Sequence, residues 1–182
     1  MPTVTELDGP SDAALVVAWQ GGSEQAATDL VRRHASALAR FLCGAGAGPS
    51  EVEDLAQEAF FKAFRGIAGW RKESSFRSWL FSIGSNLLKD SYRRRKGRVV
   101  LSIEDHDLPD RSDPASELVA SETATRIQAG LAKLPRLQRE VFLLRVQQGL
   151  DYAEIAEALG TTVGAARVHY HHAMTRLKEL VP

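Results

Sequence analysis

A single cysteine, Cys43, among 182 residues rules out an internal disulfide and a cysteine-rich zinc site. It is expected to be buried as a small apolar side chain near a helix end. No apolar run approaches the roughly 18 residues needed to cross a bilayer. The N-terminus, Met-Pro-Thr-Val-Thr-Glu-Leu-Asp, has neither a basic start nor an apolar stretch, so it is not read as a secretory signal and a cytoplasmic location is expected. A glycine-rich phosphate loop, a nucleophile elbow and metal-ligand spacing are all missing, so no catalytic centre, cofactor or metal is expected. Period-two alternation, Asn-Gly hairpin signals and repeats are missing too, which argues against sheets and solenoids. Formal net charge is zero, which taken alone argues against a nucleic-acid partner.

What is present is ordinary in amount and uneven in placement. Apolar residues make up 44% and charged residues 25%, enough to build a core, and the length allows one medium domain or two small ones. Residues 1–97 carry 13 Lys and Arg against 11 Asp and Glu, residues 98–122 carry 2 against 7, and residues 123–182 carry 8 against 5. Two mildly basic blocks therefore flank an acidic middle, and such asymmetry says more about partners than the total does. The middle, with its prolines and dense carboxylates, has no helical or strand period and reads as a linker.

Both flanks read as helix. In the first, helices are expected from Asp12 to Gln20, from a Ser23 cap to the glycines after Leu42, from a Ser50 cap with Glu53 three residues on, and after Ser74-Ser75. Leu30, Val31, His34, Leu38, Phe41 and Leu42 form one stripe. Val52, Leu55, Ala56, Ala59, Phe60, Ala63 and Phe64 form a second, and Phe76, Trp79, Leu80, Ile83 and Leu87 a third. In the second flank, helices are expected over Thr123–Leu134 and Arg136–Gln147, then from an Asp151/Glu154 capping box to Leu159, then from Val163 to about Leu180. The fold class is all-α: two small helical domains, 1–97 and 123–182, joined by an acidic linker at 98–122.

Three clusters carry functional weight. The run from Asp151 to Tyr170 is a short helix, a Leu-Gly-Thr-Thr turn and a longer helix. Ile155, Ala156 and Leu159 face Val163, Ala166 and Tyr170 across the seam, which is the pattern of a helix-turn-helix. Arg167, His169, His171, His172 and Arg176 are its groove-facing candidates, with Lys178 further along; arginine can bond guanine in a bidentate way and the others suit phosphates. The three histidines have no carboxylate or cysteine placed to complete a metal site. The second cluster, Asn86-Leu-Leu-Lys-Asp-Ser-Tyr-Arg-Arg-Arg-Lys96, places five cations and an aromatic within eight residues. It suits a phosphate backbone with an unstacked base nearby, or equally a cation-rich helix C-terminus favoured by the dipole. The third is the polar face of Asp54, Gln57, Glu58 and Lys62, which alone would be merely solvated.

Together these segments strongly resemble the extracytoplasmic-function sigma factors of bacterial RNA polymerase. Glu51-Val-Glu-Asp-Leu-Ala-Gln-Glu-Ala-Phe-Phe-Lys-Ala-Phe-Arg65 is similar to the family's polymerase-docking segment. Phe76-Arg-Ser-Trp-Leu-Phe-Ser-Ile-Gly-Ser-Asn-Leu-Leu-Lys-Asp-Ser-Tyr-Arg-Arg-Arg95 is similar to its promoter-melting and −10-reading helix. Leu134-Pro-Arg-Leu-Gln-Arg-Glu-Val-Phe-Leu-Leu-Arg145, with the helix-turn-helix after it, is similar to its −35-reading domain. The match runs over nearly the whole chain in the right order.

The resemblance implies roles. Asp54, Gln57 and Glu58 would meet the clamp helices of core RNA polymerase. Asn86 would hold a flipped-out base of the −10 non-template strand, with Lys89, Arg93, Arg94 and Arg95 on the backbone. Arg167, His169, His171, His172 and Arg176 would contact the −35 duplex. The acidic linker would thread the polymerase interior. Trp79 and Leu80 are expected in the core. Members of the family are commonly held inactive by an anti-sigma factor, a partner the sequence does not identify. Near-neutral charge suggests that the free chain binds DNA weakly. The last helix departs from the family in carrying His171, His172 and Met174 where many relatives carry arginines, which leaves the −35 sequence open and suggests sensitivity to acid. No extra C-terminal regulatory domain is expected after Pro182. The competing class is a stand-alone helix-turn-helix regulator, which predicts a symmetric dimer and tight operator binding without polymerase.

Overall fold

The computed structural model describes residues 9–70, 74–99 and 122–180. Nearly all of the acidic segment therefore lies outside the described residues. The elements are α1 (Asp12–Gln20), α2 (Glu24–Gly44), α3 (Pro49–Gly66), a 3-10 turn (Ile67–Gly69), α4 (Phe76–Val99), α5 (Glu122–Ala132), α6 (Arg136–Phe142) continued by a wide π-type turn (Leu143–Gln147), α7 (Tyr152–Leu159) and α8 (Val163–Leu180). The fold is all-α.

Local chemistry sets most boundaries. Ser11 and Ser23 cap α1 and α2, accepting the Ala14 and Ala26 N–H groups at 3.2 and 3.3 Å. These bonds satisfy amides that have no partner inside a helix. The start of α3 differs from the Ser50/Glu53 expectation. Pro49 occupies its first turn and the Glu51 carboxylate accepts the Gly48 N–H at 3.1 Å, a position where proline costs no hydrogen bond. Asp151 and Glu154 form a reciprocal capping box at α7, at 2.8 and 2.9 Å. Gly160, at φ +62°, ends α7 in the left-handed conformation that glycine adopts without strain.

The first unit packs α2 against α1, α3 and α4. Leu30, Leu38, Phe41 and Leu42 are fully buried, each worth roughly 1.5–3 kcal/mol. His34 lies in the same stripe and its Nε2 is 2.7 Å from Asp12 Oδ2, while Arg33 bonds Asp12 Oδ1 at 2.6 Å. Burial alone would raise the Asp12 carboxyl, but His34 and Arg33 outweigh it and hold it below its ordinary value. Cys43 corrects the expectation of burial. It falls out of phase with the α2 stripe and is exposed.

The two units are packed together, with α4 lying against α7. This explains why α4 buries more than one stripe. Phe76, Leu80, Phe81, Leu87 and Leu88 are buried, and so are Ser78, Ser85 and Ser91. Of the expected inner residues, Trp79 and Ile83 are only partly buried, packed at the core's edge. Buried serines need partners, and Ser85 has one across the interface, donating to Glu140 on α6 at 2.8 Å. Arg77 donates to the Gln148 carbonyl, and Gln148 Nε2 donates to the Ala37 carbonyl at 3.2 Å. Gly46, at φ +104°, sits where the units meet. A Cβ there would lie 2.2 Å from Tyr92 Oη and 2.8 Å from Arg139 Nη1. Both side chains donate to the Ala45 carbonyl, at 3.1 and 3.2 Å. Only glycine lets the loop after α2 accept a clamp from α4 and α6 at once.

Candidate nucleic-acid interface

The helix-turn-helix forms with one departure from the expected seam: Val163 is exposed at the start of α8, and Leu159 and Tyr170 are only partly buried. Ile155, Ala156 and Ala158 of α7 and Ala166, Ala173 and Leu177 of α8 are buried, and Thr162 Oγ1 caps α8 by accepting the Ala165 N–H at 3.1 Å. Arg167, His171, His172 and Arg176 are exposed on the outer side of α8. His169 stands apart. It is half-buried, and its Nδ1 is enclosed without a hydrogen-bond partner. Spacing also puts it nearer the packed face. Sequence reasoning missed Tyr152, over whose ring lie the guanidiniums of Arg145 at 5.0 Å and Arg167 at 5.6 Å. Tyr152 also meets Tyr170 edge-on at 6.0 Å, so Arg167 rises from a braced aromatic platform. The visible signal was an aromatic at the first position of α7.

The cationic end of α4 divides into two faces. Asn86 and Arg93 are exposed, Lys89 is half-buried and Lys96 is exposed. Their spacing of three, seven and ten residues places them along one side of the helix. Among the described residues, Arg93 makes only a long, exposed contact, to Asp90 at 3.9 Å. Arg95 points elsewhere. It pairs with Glu51 Oε2 at 3.1 Å and stacks over Tyr92 at 4.6 Å. Burial would raise Glu51, but Ser91, the Gly48 N–H, Arg95 and Arg94 together hold its carboxyl below the ordinary value. Arg95 thus ties α4 to the start of α3, and Arg93, Arg94 and Lys96 are left as outward cations.

The polar side of α3 is exposed at Asp54, Gln57 and Glu58. Gln57 donates to Glu53 at 3.3 Å and Lys62 lies 3.7 Å from Glu58. One turn further on, Phe61 is 56% exposed, with the Arg65 guanidinium 5.4 Å from its ring centre. Sequence reasoning passed over Phe61 because it falls outside the buried stripe. Among the described residues, no group of three or more His, Cys, Asp or Glu side chains could hold a metal ion, and no helix is long and apolar enough to cross a membrane.

Residues 30–98 match the Sigma-70 region 2 family and residues 124–177 match Sigma-70, region 4. The chain is 32% identical over 183 residues to the ECF RNA polymerase sigma factor SigE of Mycolicibacterium smegmatis, covering 98% of this chain and 67% of that protein. It is 31% identical to the RNA polymerase sigma factor CnrH of Cupriavidus metallidurans, covering 94% of this chain and 96% of that one. The chain belongs to the extracytoplasmic-function sigma factors. A solved structure of CnrH in complex with the cytosolic domain of CnrY has the same fold as this sigma factor. Its TM-score is 0.72 at 28% identity, over 94% of this chain and 97% of that one. As a sigma factor, the chain is a regulatory subunit that directs RNA polymerase to promoters.

Proposed function

We propose that this sigma factor acts in the cytoplasm through three separate surfaces and without chemistry of its own. Asp54, Gln57 and Glu58 dock core polymerase, with Phe61 as an apolar anchor among the charges. Asn86, Lys89, Arg93 and Arg94 hold the −10 non-template strand, where exposed bases can be read in a pocket, and Arg95 holds α4 in place behind them. Arg167, His171, His172 and Arg176 contact the −35 element, where a closed duplex must be read through its groove. Residues 1–97 and 123–182 form the two working domains, and the acidic stretch at 98–122 runs between them inside the polymerase.

The observation that best supports this reading is that the three clusters lie on three different helices and, Lys89 apart, are exposed, while most of the apolar stripe of each helix is buried. An anti-sigma factor is proposed as a further partner, since the CnrH structure contains the cytosolic domain of CnrY. The test is equilibrium competition for core polymerase. Asp54→Ala/Glu58→Ala should lose binding by tenfold or more while keeping its melting temperature. Undiminished binding by that variant would remove α3 from the docking surface.

A further inference from the structure

The outermost ridge of α8 carries no lysine or arginine before Lys178 in the last turn. Residues 164, 168, 171 and 175 recur at the spacing of one helix face, and they are Gly164, Val168, His171 and Thr175. Val168 is 52% exposed, although Ala166, Ala173 and Leu177 already bury the inner side of the helix. Nothing lies within 4 Å of where a Cβ on Gly164 would stand, and its φ is not positive. Neither packing nor backbone geometry therefore requires glycine there. Both residues are poorer helix formers than alanine, and both sit on the part of the helix-turn-helix that meets base edges.

We propose that Val168 is a sequence-determining residue of the −35 contact, packing its isopropyl group against the C5 methyl of a thymine. This rests on the reading of α8 as the helix that enters the major groove. Thymine is the only base that presents a methyl group there, and a side chain without donor or acceptor can select by that group alone. Gly164, one turn earlier and bare, allows the helix backbone to approach the base-pair edges closely enough for a short side chain to touch them. Arg167, over the ring of Tyr152, and His172 and Arg176 flank the ridge.

The test uses holoenzyme reconstituted from core polymerase and the full chain on a promoter it transcribes. Each thymine of the −35 element is replaced in turn by deoxyuridine, which lacks the methyl but keeps every hydrogen-bonding group. At one position the wild type should lose about fourfold in promoter affinity, the worth of one buried methyl group. Val168→Ala should lose a similar factor on the natural promoter and be indifferent to deoxyuridine at that same position. Every other thymine should affect wild type and variant alike. If Val168→Ala responds to every deoxyuridine as the wild type does, or if the sensitive position is coupled to His171→Ala instead, the assignment is overturned. If initiation ignores the −35 sequence altogether and Arg167→Ala is silent, the groove reading of α8 falls and this inference with it.

Discussion

Ser85 on α4 donates a 2.8 Å hydrogen bond to Glu140 on α6, so a fully buried carboxylate is shared between the two helical units. Arg136 bonds its other oxygen at 2.7 Å. An unmet buried charge costs far more than an unmet surface one, which makes Ser85 more than a small space-filler. Ser85→Ala should cost about 1–3 kcal/mol in chemical denaturation, because it strips a donor from a buried carboxyl oxygen. It should also loosen the packing of the units, read as a larger radius of gyration by small-angle scattering. A variant as stable and as compact as the wild type would show that the bond contributes nothing.

The same carboxylate sets a pH dependence of unusual sign. Burial pushes Glu140 above its ordinary value of 4.5, and Arg136, Ser85 and Arg139 offset this only in part. The folded state therefore binds this proton more readily than the unfolded state, and stability from this group rises as pH falls through the raised value toward 4.5. Asp12 and Glu51 are held below their ordinary 3.8 and 4.5. Their contribution is present above those values and is lost as pH falls through the lower folded ones. Melting temperature should accordingly peak at mildly acidic pH. Glu140→Gln should abolish the rise and leave the acid-side fall intact, while Asp12→Asn should keep the rise and shrink the fall to the share that Glu51 carries. An unchanged rise in Glu140→Gln would contradict the assignment.

Most helices were legible because their signals are local. The Ser23 cap, the Asp151–Glu154 box, the positive-φ Gly160 and the apolar spacing of α2 all act within a few residues. What escaped depends on contacts distant in sequence. The inner stripe expected for α4 did not include Ser78, Ser85 and Ser91, which are buried because α7, α6 and α3 cover that side of the helix. Arg95 belongs to one basic run with Arg93 and Arg94, and only the position of Glu51 separates it from them. The burial expected for Cys43 failed for a simpler reason, since small and apolar does not fix which side of a helix a residue occupies.

That separation of Arg93 from Arg95 can be measured. Arg93→Ala should leave the melting temperature unchanged and reduce the slope of log affinity against log salt for holoenzyme on promoter DNA by about 0.7–0.9, one released counterion. Arg95→Ala should lower the melting temperature, with little loss of slope beyond that. The opposite pattern would place Arg95, and not Arg93, on the DNA.

Phe61 tests the apolar content of the docking face. A large exposed aromatic with the Arg65 guanidinium over its ring suits an interface anchor, for which truncation costs about 2 kcal/mol or more. Phe61→Ala should weaken binding to core polymerase by tenfold or more without destabilising the chain. Retained affinity would leave docking to Asp54, Gln57 and Glu58 alone.

The central claim is that polymerase and this chain together, and neither separately, select promoters. In vitro transcription with core RNA polymerase and a pool of genomic promoter fragments measures it directly. The predicted result is a set of discrete new transcripts that vanish with Asp54→Ala/Glu58→Ala, together with weak duplex binding by the free chain at physiological salt. Tight, specific duplex retention by the chain alone, with core polymerase neither bound nor redirected, would contradict it.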